Sequence, residues 1–422
     1  MKLLLVGSGG REHALAWALA QSPLKPKIYV APGNAGIAQV AECVPIPASD
    51  FAALKDFAVS QKTDFAVIAA DAQLVGGLWD VLEGAGIKAL GPSKAAAVLE
   101  GSKGFIKDLC AEAGIPTAAY QRFQGAAAAK GFAGSLGLPV VIKADGLAAG
   151  KGVIIAASKA ESDKAIDFMF EGGFGDSGAE IVVEEFMEGE EASFFALSDG
   201  ENVIPLAGAQ DHKRVGDGDA GPNTGGMGAY SPAPVLPPAL EQVAMEKFIK
   251  PTVAAFAERG LRYMGVIYLG LMITKTGPKL VEYNCRFGDP EAQVLLPRLK
   301  SDLLSLLIAA RDGALNKTSA EWKKETALTV VMASAGYPGS CEKGHVISGL
   351  EEATQLPGIT IFHAGTEKRD GKTLAVGGRV LDVTATGATI AEAQARAYAA
   401  VSRISWKGSF FRHDIGWRAL KR

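Results

Sequence analysis

The chain has 422 residues, room for about two to four domains of roughly 100–200 residues and too many for one core. Hydrophobic residues make up 48% and charged residues 21%, a folded composition that excludes a disordered chain. Its 43 basic and 46 acidic side chains leave a net charge of −3, so there is no broad electrostatic footprint for nucleic acid or membrane, and only a local anion pocket remains open.

The first residues, MKLLLVGSGG, resemble a signal peptide, but the apolar run Leu3–Val6 is short and enters a glycine turn, so it reads as a strand. Helix-patterned 12–21, strand KIYVAP, helix 51–60, strand DFAVIAA, helix GLWDVLEGAG and strand IKALGP follow. That alternation predicts a parallel sheet with helices on both faces. A helix over 102–113 carries Lys103 and Lys107. The strands PVVIKADG and VIIAAS flank the loop GLAAGKG, which suggests a hairpin. A helix near 162–170, strand 180–186 and a hairpin around Asp199-Gly200 come next. The loop 215–234 is long and rich in Gly, Pro and Asp, a type that is usually functional when ordered. A helix over 238–259 precedes the paired strands YMGVIYLGLMIT and PKLVEYN. Strands dominate from about 326, and a helix at 388–404 ends that part. Boundaries fall near 101 and 325.

Cys43, Cys110, Cys285 and Cys341 are scattered with no CxxC pair, and no HExxH occurs among the five histidines. This fits a reduced, cytoplasmic enzyme better than a disulfide framework or a zinc site. No stretch approaches the ~18 apolar residues of a membrane helix.

Five motifs carry chemistry. Gly7-Ser8-Gly9-Gly10-Arg11-Glu12-His13 follows the first strand, where backbone N–H groups and a helix N-terminus make an anion seat. Glu12 in place of the third glycine, and no acid near the end of the second strand, argue against a nicotinamide cofactor. Arg11 favours phosphate; a tight turn without ligand is the alternative. Lys143 to Gly152 fails the P-loop pattern, because Asp145 replaces the first Gly and Gly152 the Ser/Thr. What remains is a glycine hairpin with Lys143 and Lys151 that either closes over a triphosphate or is a surface turn. The acidic run Glu184 to Glu191 reads alone as a solvated strand end. Glu282 and Asn284 are two apart on a strand and share a face, as two oxygen ligands of magnesium would, with Arg286 next on that side. Gln210 to Arg214 sets three cations beside Asp211, for an anionic substrate or as a solvated turn.

With these motifs in order, the chain resembles the phosphoribosylamine–glycine ligase (glycinamide ribonucleotide synthetase) family of the ATP-grasp superfamily. The resemblance runs nearly end to end. It rests on GSGGREHALAW, APGNAG, VIKADGLAAGKGV, EEFMEGEEASF, QDHKRVGDGDAGPNTGGMGAYSP, EYNCRFGDPE, GYPG, FHAGT, VGGRV and DIGWRAL. It implies a multidomain α/β and α+β protein. An N-terminal doubly wound parallel-sheet domain would span 1–101. A central ATP-grasp domain would span 102–325, with a glycine-loop subdomain at about 120–190, and a C-terminal β-rich domain 326–422. ATP would be co-substrate with Mg2+ or Mn2+. Glycine and phosphoribosylamine would be the other small-molecule substrates, without nucleic acid or membrane, on a monomer or weak dimer.

Residue roles follow from the same resemblance. Lys103 and Lys143 would contact ATP phosphates or the purine edge, and the loop with Gly146, Gly150, Lys151 and Gly152 would cover the triphosphate. Glu184, Glu185 and Phe186 would present main chain to adenine, and Glu191 would hold ribose. Glu282 and Asn284 would ligate the metal. Arg286 would hold the glycine carboxylate, with Gly288 and Asp289 in the turn beside it. Asp211 would meet the ammonium and Arg214 a phosphate. Arg286, Lys143 and Asp211 form the catalytic set. Gly9, Gly10, Arg11 and Asn34 would seat the sugar phosphate. Where the family reads Gly-Pro-Glu-Ala-Pro-Leu-Val, this chain has Ala69-Ala70-Asp71-Ala72-Gln73-Leu74-Val75. Asp71 is one methylene shorter, which alters the sugar-binding loop.

Three alternatives remain. Another ATP-grasp carboxylate–amine ligase differs only in substrate. A nicotinamide oxidoreductase is opposed by Glu12. A non-catalytic nucleotide-binding module is opposed by intact Lys143, Glu282, Asn284 and Arg286.

Overall fold

The structure is a computed structural model and describes residues 1–146 and 152–422. The N-terminal part is a five-stranded sheet ordered Glu42–Cys43, Lys27–Pro32, Lys2–Gly7, Phe65–Ile68, Lys88–Leu90, with every pair parallel. The chain steps outward on one side of Lys2–Gly7 and then on the other. The order therefore reverses beside that strand and opens a crevice at the strand C-termini. Leu3, Leu4, Leu5 and Val6 are fully buried, because helices cover both faces. Leu15 and Leu19 of helix Gly10–Ala20 pack on Leu3 and Leu5, while Leu54, Leu78 and Leu82 pack on Leu4 and Val6. The helix expected over GLWDVLEGAG forms as Leu78–Gly84, and a further short helix, Asp71–Gly76, precedes it across Gly77, whose φ of +91° suits glycine.

Ser102 caps helix Lys103–Ala113 by accepting from Phe105 N at 3.0 Å. An antiparallel four-stranded sheet follows, ordered Tyr120–Phe123, Ile181–Glu185, Val140–Ala144, Val153–Ala156. Its apolar face (Val140, Ile142, Ile181, Val183) buries against helices Ala126–Leu136 and Lys159–Phe168.

Nine further strands build one antiparallel sheet. Its path is Gly277–Asn284, Met264–Thr274, Glu190–Asp199, Val203–Asp211, Gly228–Ser231, Thr326–Ser334, Arg379–Gly387, Ile359–His363, with Ser409–Phe410 on Thr326–Ser334. Gly228–Ser231 pairs with Thr326–Ser334, so the sheet runs on across residue 325. This continuity brings the last hundred residues to the same cleft as the central strands. The 238–259 helix forms with a five-residue widening at Met245–Ile249, just before Pro251. The widened turn accommodates a ring that has no N–H to donate.

Candidate active site

A cavity of about 460 Å³ opens where the three sheets meet. Lys143 enters on strand Val140–Ala144, and its Nζ lies 3.0 Å from Glu184 Oε1. Lys107 Nζ lies 3.0 Å from the other oxygen, Glu184 Oε2, and donates to Thr117 Oγ1 at 2.7 Å. The Glu184 carboxylate is thus buried between two lysines. Burial pushes Lys107 below its ordinary value while Glu184 pulls it back. Lys103 Nζ donates to Gly146 O at 2.7 Å, and burial lowers its affinity for a proton as well. Glu185 accepts from Ala119 N at 3.1 Å and from Lys279 Nζ at 3.0 Å; these bonds hold its carboxyl below the usual range against some burial. Phe186 stands exposed at the rim.

The strand Gly277–Asn284 forms the opposite wall. Glu282 and Asn284 both line the cavity, as the alternation of a strand requires. Burial would raise Glu282, but Lys213, Lys143, Lys103 and Arg286 together hold it below its ordinary value. Lys213 Nζ is 2.6 Å from Glu191 Oε2 and 3.9 Å from Glu282 Oε1. Burial opposes its charge, yet Glu191, Asp211 and Glu282 keep it well above the usual lysine value. Asp211 is pushed up to about 7, by burial first and then by Glu291, Glu191 and Glu282, against the pull of Lys213. Glu291 Oε1 lies 3.0 Å from Ser193 Oγ, which is 2.9 Å from the Tyr268 hydroxyl.

Arg286 follows the strand. Its Nη2 lies 2.9 Å from Glu100 Oε1 and donates to Asn284 Oδ1 at 3.2 Å, and Nη1 donates to Phe287 O at 3.2 Å. Nε–H has no partner among the described residues, although buried donors are normally paired. Asp289 sits beyond it with Oδ2 3.0 Å from Arg379 Nη2, and Arg379 Nη1 donates to Gly225 O and Asp289 O, each at 2.7 Å. Burial would raise Asp289, but Arg379, Arg11 and Gln293 hold it low.

Most residues named from the sequence meet here. Arg11, Asp71, Lys103, Lys143 and Gly152 line the cavity, as do Glu184, Glu185, Phe186, Glu191 and Asp211. So do Glu282, Asn284, Arg286, Gly288 and Asp289. Five others are not among its lining residues: Gly9, Gly10, Asn34, Gly146 and Arg214. Gly9 N donates to Glu12 Oε2 at 2.6 Å, so the side chain that breaks the dinucleotide pattern occupies the turn's own donor. A Cβ on Gly10 would lie 1.9 Å from Asp382 Oδ2, so Gly10 makes room for a carboxylate of the C-terminal part. Asn34 Nδ2 donates to Ser8 O at 2.8 Å and His363 O at 2.7 Å, tying two parts of the chain together. Arg214 Nη1 donates to Gly221 O at 2.8 Å within its own loop, and the neighbouring Lys213 is the cation in the cavity. Gly150 and Lys151 lie outside the described residues.

Glu100, Lys107, Lys213, Tyr268, Glu291 and Arg379 also line the cavity and had no role assigned from sequence. Lys213 and Glu291 sat inside motifs already recognised. Arg379 lies in the quoted VGGRV, though nothing there points to the cavity, and Glu100 had no signal at all.

Behind Gly10, Gln293 Nε2 donates to Asp289 Oδ1 at 2.7 Å and to Asp382 Oδ2 at 3.0 Å. Arg379 pairs with Asp289, leaving Asp382 pushed up to about 7, by burial first and then by Asp289. The fold then keeps a proton on Asp382 that an unfolded chain releases near its ordinary 3.8. Stability from this group is present below that value and is lost as pH rises to about 7. Asp382→Asn, neutral at every pH, should therefore gain on the parent in thermal midpoint from about pH 5 to about pH 7, then hold level. A constant difference across that range would show Asp382 ionised in the fold.

The antiparallel pair Val140–Ala144 and Val153–Ala156 with Lys143 on it, a strand bearing Glu282 and Asn284, and a sheet shared by central and C-terminal parts define a protein of the ATP-grasp class. The chain matches the family described as phosphoribosylglycinamide synthetase in three pieces: its N domain over residues 1–100, its ATP-grasp (A) domain over 101–292, and its C domain over 327–418. It is 58% identical over 422 residues to the phosphoribosylamine–glycine ligase of Brucella melitensis, covering 100% of this chain and 99% of that relative. The crystal structure of phosphoribosylamine–glycine ligase from Thermotoga maritima superposes with a TM-score of 0.87 at 33% identity, covering 98% of this chain and 100% of that one. Biotin carboxylase from Campylobacter jejuni shares the fold, with a TM-score of 0.76 at 16% identity over 97% of this chain and 92% of that one. The chain belongs to the phosphoribosylglycinamide synthetase family. It is an ATP-grasp ligase acting on small molecules. No helix among the described residues is long and apolar enough to cross a membrane.

Proposed function

We propose that this chain joins the carboxylate of glycine to the amine of 5-phosphoribosylamine, with ATP cleaved to ADP and phosphate, giving glycinamide ribonucleotide for purine biosynthesis. The observation that carries the reading is the set of charges that one cavity brings together. Lys103, Lys143, Glu282, Asn284, Arg286, Asp211 and Glu291 all line it, and the Glu282 carboxylate lies within the influence of both the lysines and Arg286. Cations suit a polyphosphate; a guanidinium close to carboxylates suits an amino acid's two opposite charges.

A carboxylate is a poor acyl donor, because its charge repels nucleophiles and oxide leaves badly. Its oxygen attacks the γ-phosphorus, ADP leaves, and glycyl phosphate forms. The amine nitrogen then adds to the carbonyl, phosphate departs with the C–O bond electrons, and the nitrogen gives up a proton. Neither step needs an enzyme nucleophile, and the buried Cys285 thiol, raised by burial, is unsuited to be one. The protein's work is to place the reactants and to face developing charge with fixed donors. Lys143 and Lys103 would hold phosphate oxygens, Arg286 the carboxylate, and Asp211 with Glu291 the ammonium. Arg11 and Arg379 would face the sugar phosphate. Glu191 would bind ribose, and the main chain of 184–186 adenine.

The donor set fits a hard divalent cation: Glu282 offers a carboxylate and Asn284 an amide oxygen on one strand face, leaving positions for phosphate oxygens. Bound there, Mg2+ (or Mn2+) would neutralise charge on the transferring phosphoryl group. The reading extends to a cytoplasmic monomer or weak dimer in three domains, with no nucleic acid or membrane partner.

ADP release should require ATP, Mg2+, glycine and freshly made phosphoribosylamine together. Omitting each in turn tests this; equal ADP release without the amino sugar would point to another carboxylate–amine ligase.

A further inference from the structure

Glu100 sits in the short helix Val98–Gly101, 185 residues before the turn it touches. Its side chain is only 4% exposed. Oε1 lies 2.9 Å from Arg286 Nη2, and Oε2 accepts the backbone N–H of Cys285 at 2.7 Å. One carboxylate thus grips both the guanidinium and the backbone of the residue preceding it. Asp71 is the next carboxylate near that guanidinium, and burial raises Glu100 while Arg286 draws it down.

We propose that Glu100 is a positioning residue for the amino-acid carboxylate, acting through Arg286. The inference rests on the reading that Arg286 holds that carboxylate. An arginine side chain samples many rotamers, and a preorganised one must be held by partners other than its ligand. Asn284 and Phe287 supply neutral acceptors on the arginine's own segment, so they move with it. Among the described residues Glu100 alone fixes it from a separate element. That element is also tied to the ATP side of the cavity. Two residues on, Ser102 Oγ donates to Asp145 Oδ2 at 3.0 Å, Lys103 Nζ reaches Gly146 O at 2.7 Å, and Gly104 N donates to Asp145 Oδ1 at 2.8 Å. Residues 100–104 therefore bridge the strand that enters the glycine hairpin and the turn that bears Arg286. Supporting partners of an active group typically carry about 10–100-fold in affinity or activity.

The test uses the full-length protein with Arg286→Lys, Glu100→Gln, Glu100→Asp and the double variant Glu100→Gln/Arg286→Lys. The Gln amide keeps an acceptor for Cys285 N–H but no charge for the guanidinium. Glu100→Gln should raise the glycine KM about tenfold and leave ATP affinity by calorimetry within about twofold, with Glu100→Asp intermediate. Added to Arg286→Lys, it should change glycine KM less than about twofold, since its effect passes through the arginine. Arg286→Lys without effect on glycine KM would overturn the Arg286 reading itself. A working Arg286→Lys with Glu100 variants of normal glycine KM, or with multiplying effects in the double variant, would overturn the Glu100 proposal alone. If Glu100→Gln does not fold, the Glu100→Asp value decides; failure of both to fold would assign Glu100 to the fold and overturn the proposal too.

Discussion

Arg286→Lys should lower kcat by about 10²–10³, roughly 2.7–4 kcal/mol in the barrier, the usual scale for one preorganised donor. Glycine KM should rise and ATP KM should move little. The guanidinium has five N–H bonds in a fixed plane. Among the described residues three are used, by Glu100, Asn284 and Phe287, leaving Nε–H and one Nη1–H for a ligand. A lysine ammonium has three N–H bonds on a flexible stem, so it cannot satisfy these partners and still orient a carboxylate. Burial works against charge here, yet Glu100, Asp71 and Glu291 hold Arg286 above its ordinary value, so the cation is permanent. Its charge also faces the negative oxygen that develops as the amine adds. Lysine keeps that charge but loses its placement, which is why kcat should fall more than folding stability. Steady-state kinetics with each substrate varied decide the matter. Near-normal kcat and glycine KM would move the carboxylate to another cation of the cavity, such as Lys213 or Arg11, which donates to the same Phe287 O.

The elements of the fold were legible where pattern and turn chemistry agreed. KLLLVG, KIYV and FAVI are short apolar runs that end in glycine, proline or small residues, and they become buried parallel strands. The two strands around GLAAGKG pair as a hairpin, Val140 opposite Ala156. What the chain's local pattern could not carry was long-range pairing. Nothing in GAYS or TALTVVMAS says that they are neighbours, since an antiparallel partner ninety-odd residues away leaves no periodic trace. The short helix Asp71–Gly76 was similarly hidden, because six residues are too few to show a helical period.

The site divides along the same line. Glu282 and Asn284 were readable because strand alternation puts them on one face, and both line the cavity. Arg214 and Lys213 were not separable, since adjacent residues in a loop have no fixed alternation. Gly9 and Gly10 illustrate a different ambiguity. A glycine-rich turn looks the same whether it leaves room for a ligand or for the protein's own side chains, here Glu12 and Asp382. Arg379 shows the cost of distance. It belongs to a strand near the C-terminus and reaches the cavity only because the nine-stranded sheet passes from the central part to the last hundred residues.

Glu282→Ala should cost about 100-fold in turnover and shift the magnesium dependence to higher concentration. The loss of mere supporting groups around a metal already costs about 10–100-fold, and a ligand belongs at the top of that range. Magnesium keeps much of its shell as water and phosphate and takes only one or two protein oxygens, so no spare ligand replaces Glu282. Folding should survive, because the side chain is 41% exposed and reaches into the cavity, away from the core. The electrostatics add a sign that separates this role from a general loss of the site. Glu282 lies among Lys213, Lys143, Lys103 and Arg286, whose charges hold its carboxylate below the ordinary range. Removing it leaves those cations less compensated. Metal-free ATP should then bind at least as tightly as to the parent, while the gain that magnesium normally brings disappears. Calorimetry of ATP with and without Mg2+, on parent and variant, reads both effects. If magnesium strengthens ATP binding equally in the two proteins, Glu282 is no ligand, and the metal would have to be sought nearer Glu191 and Glu291.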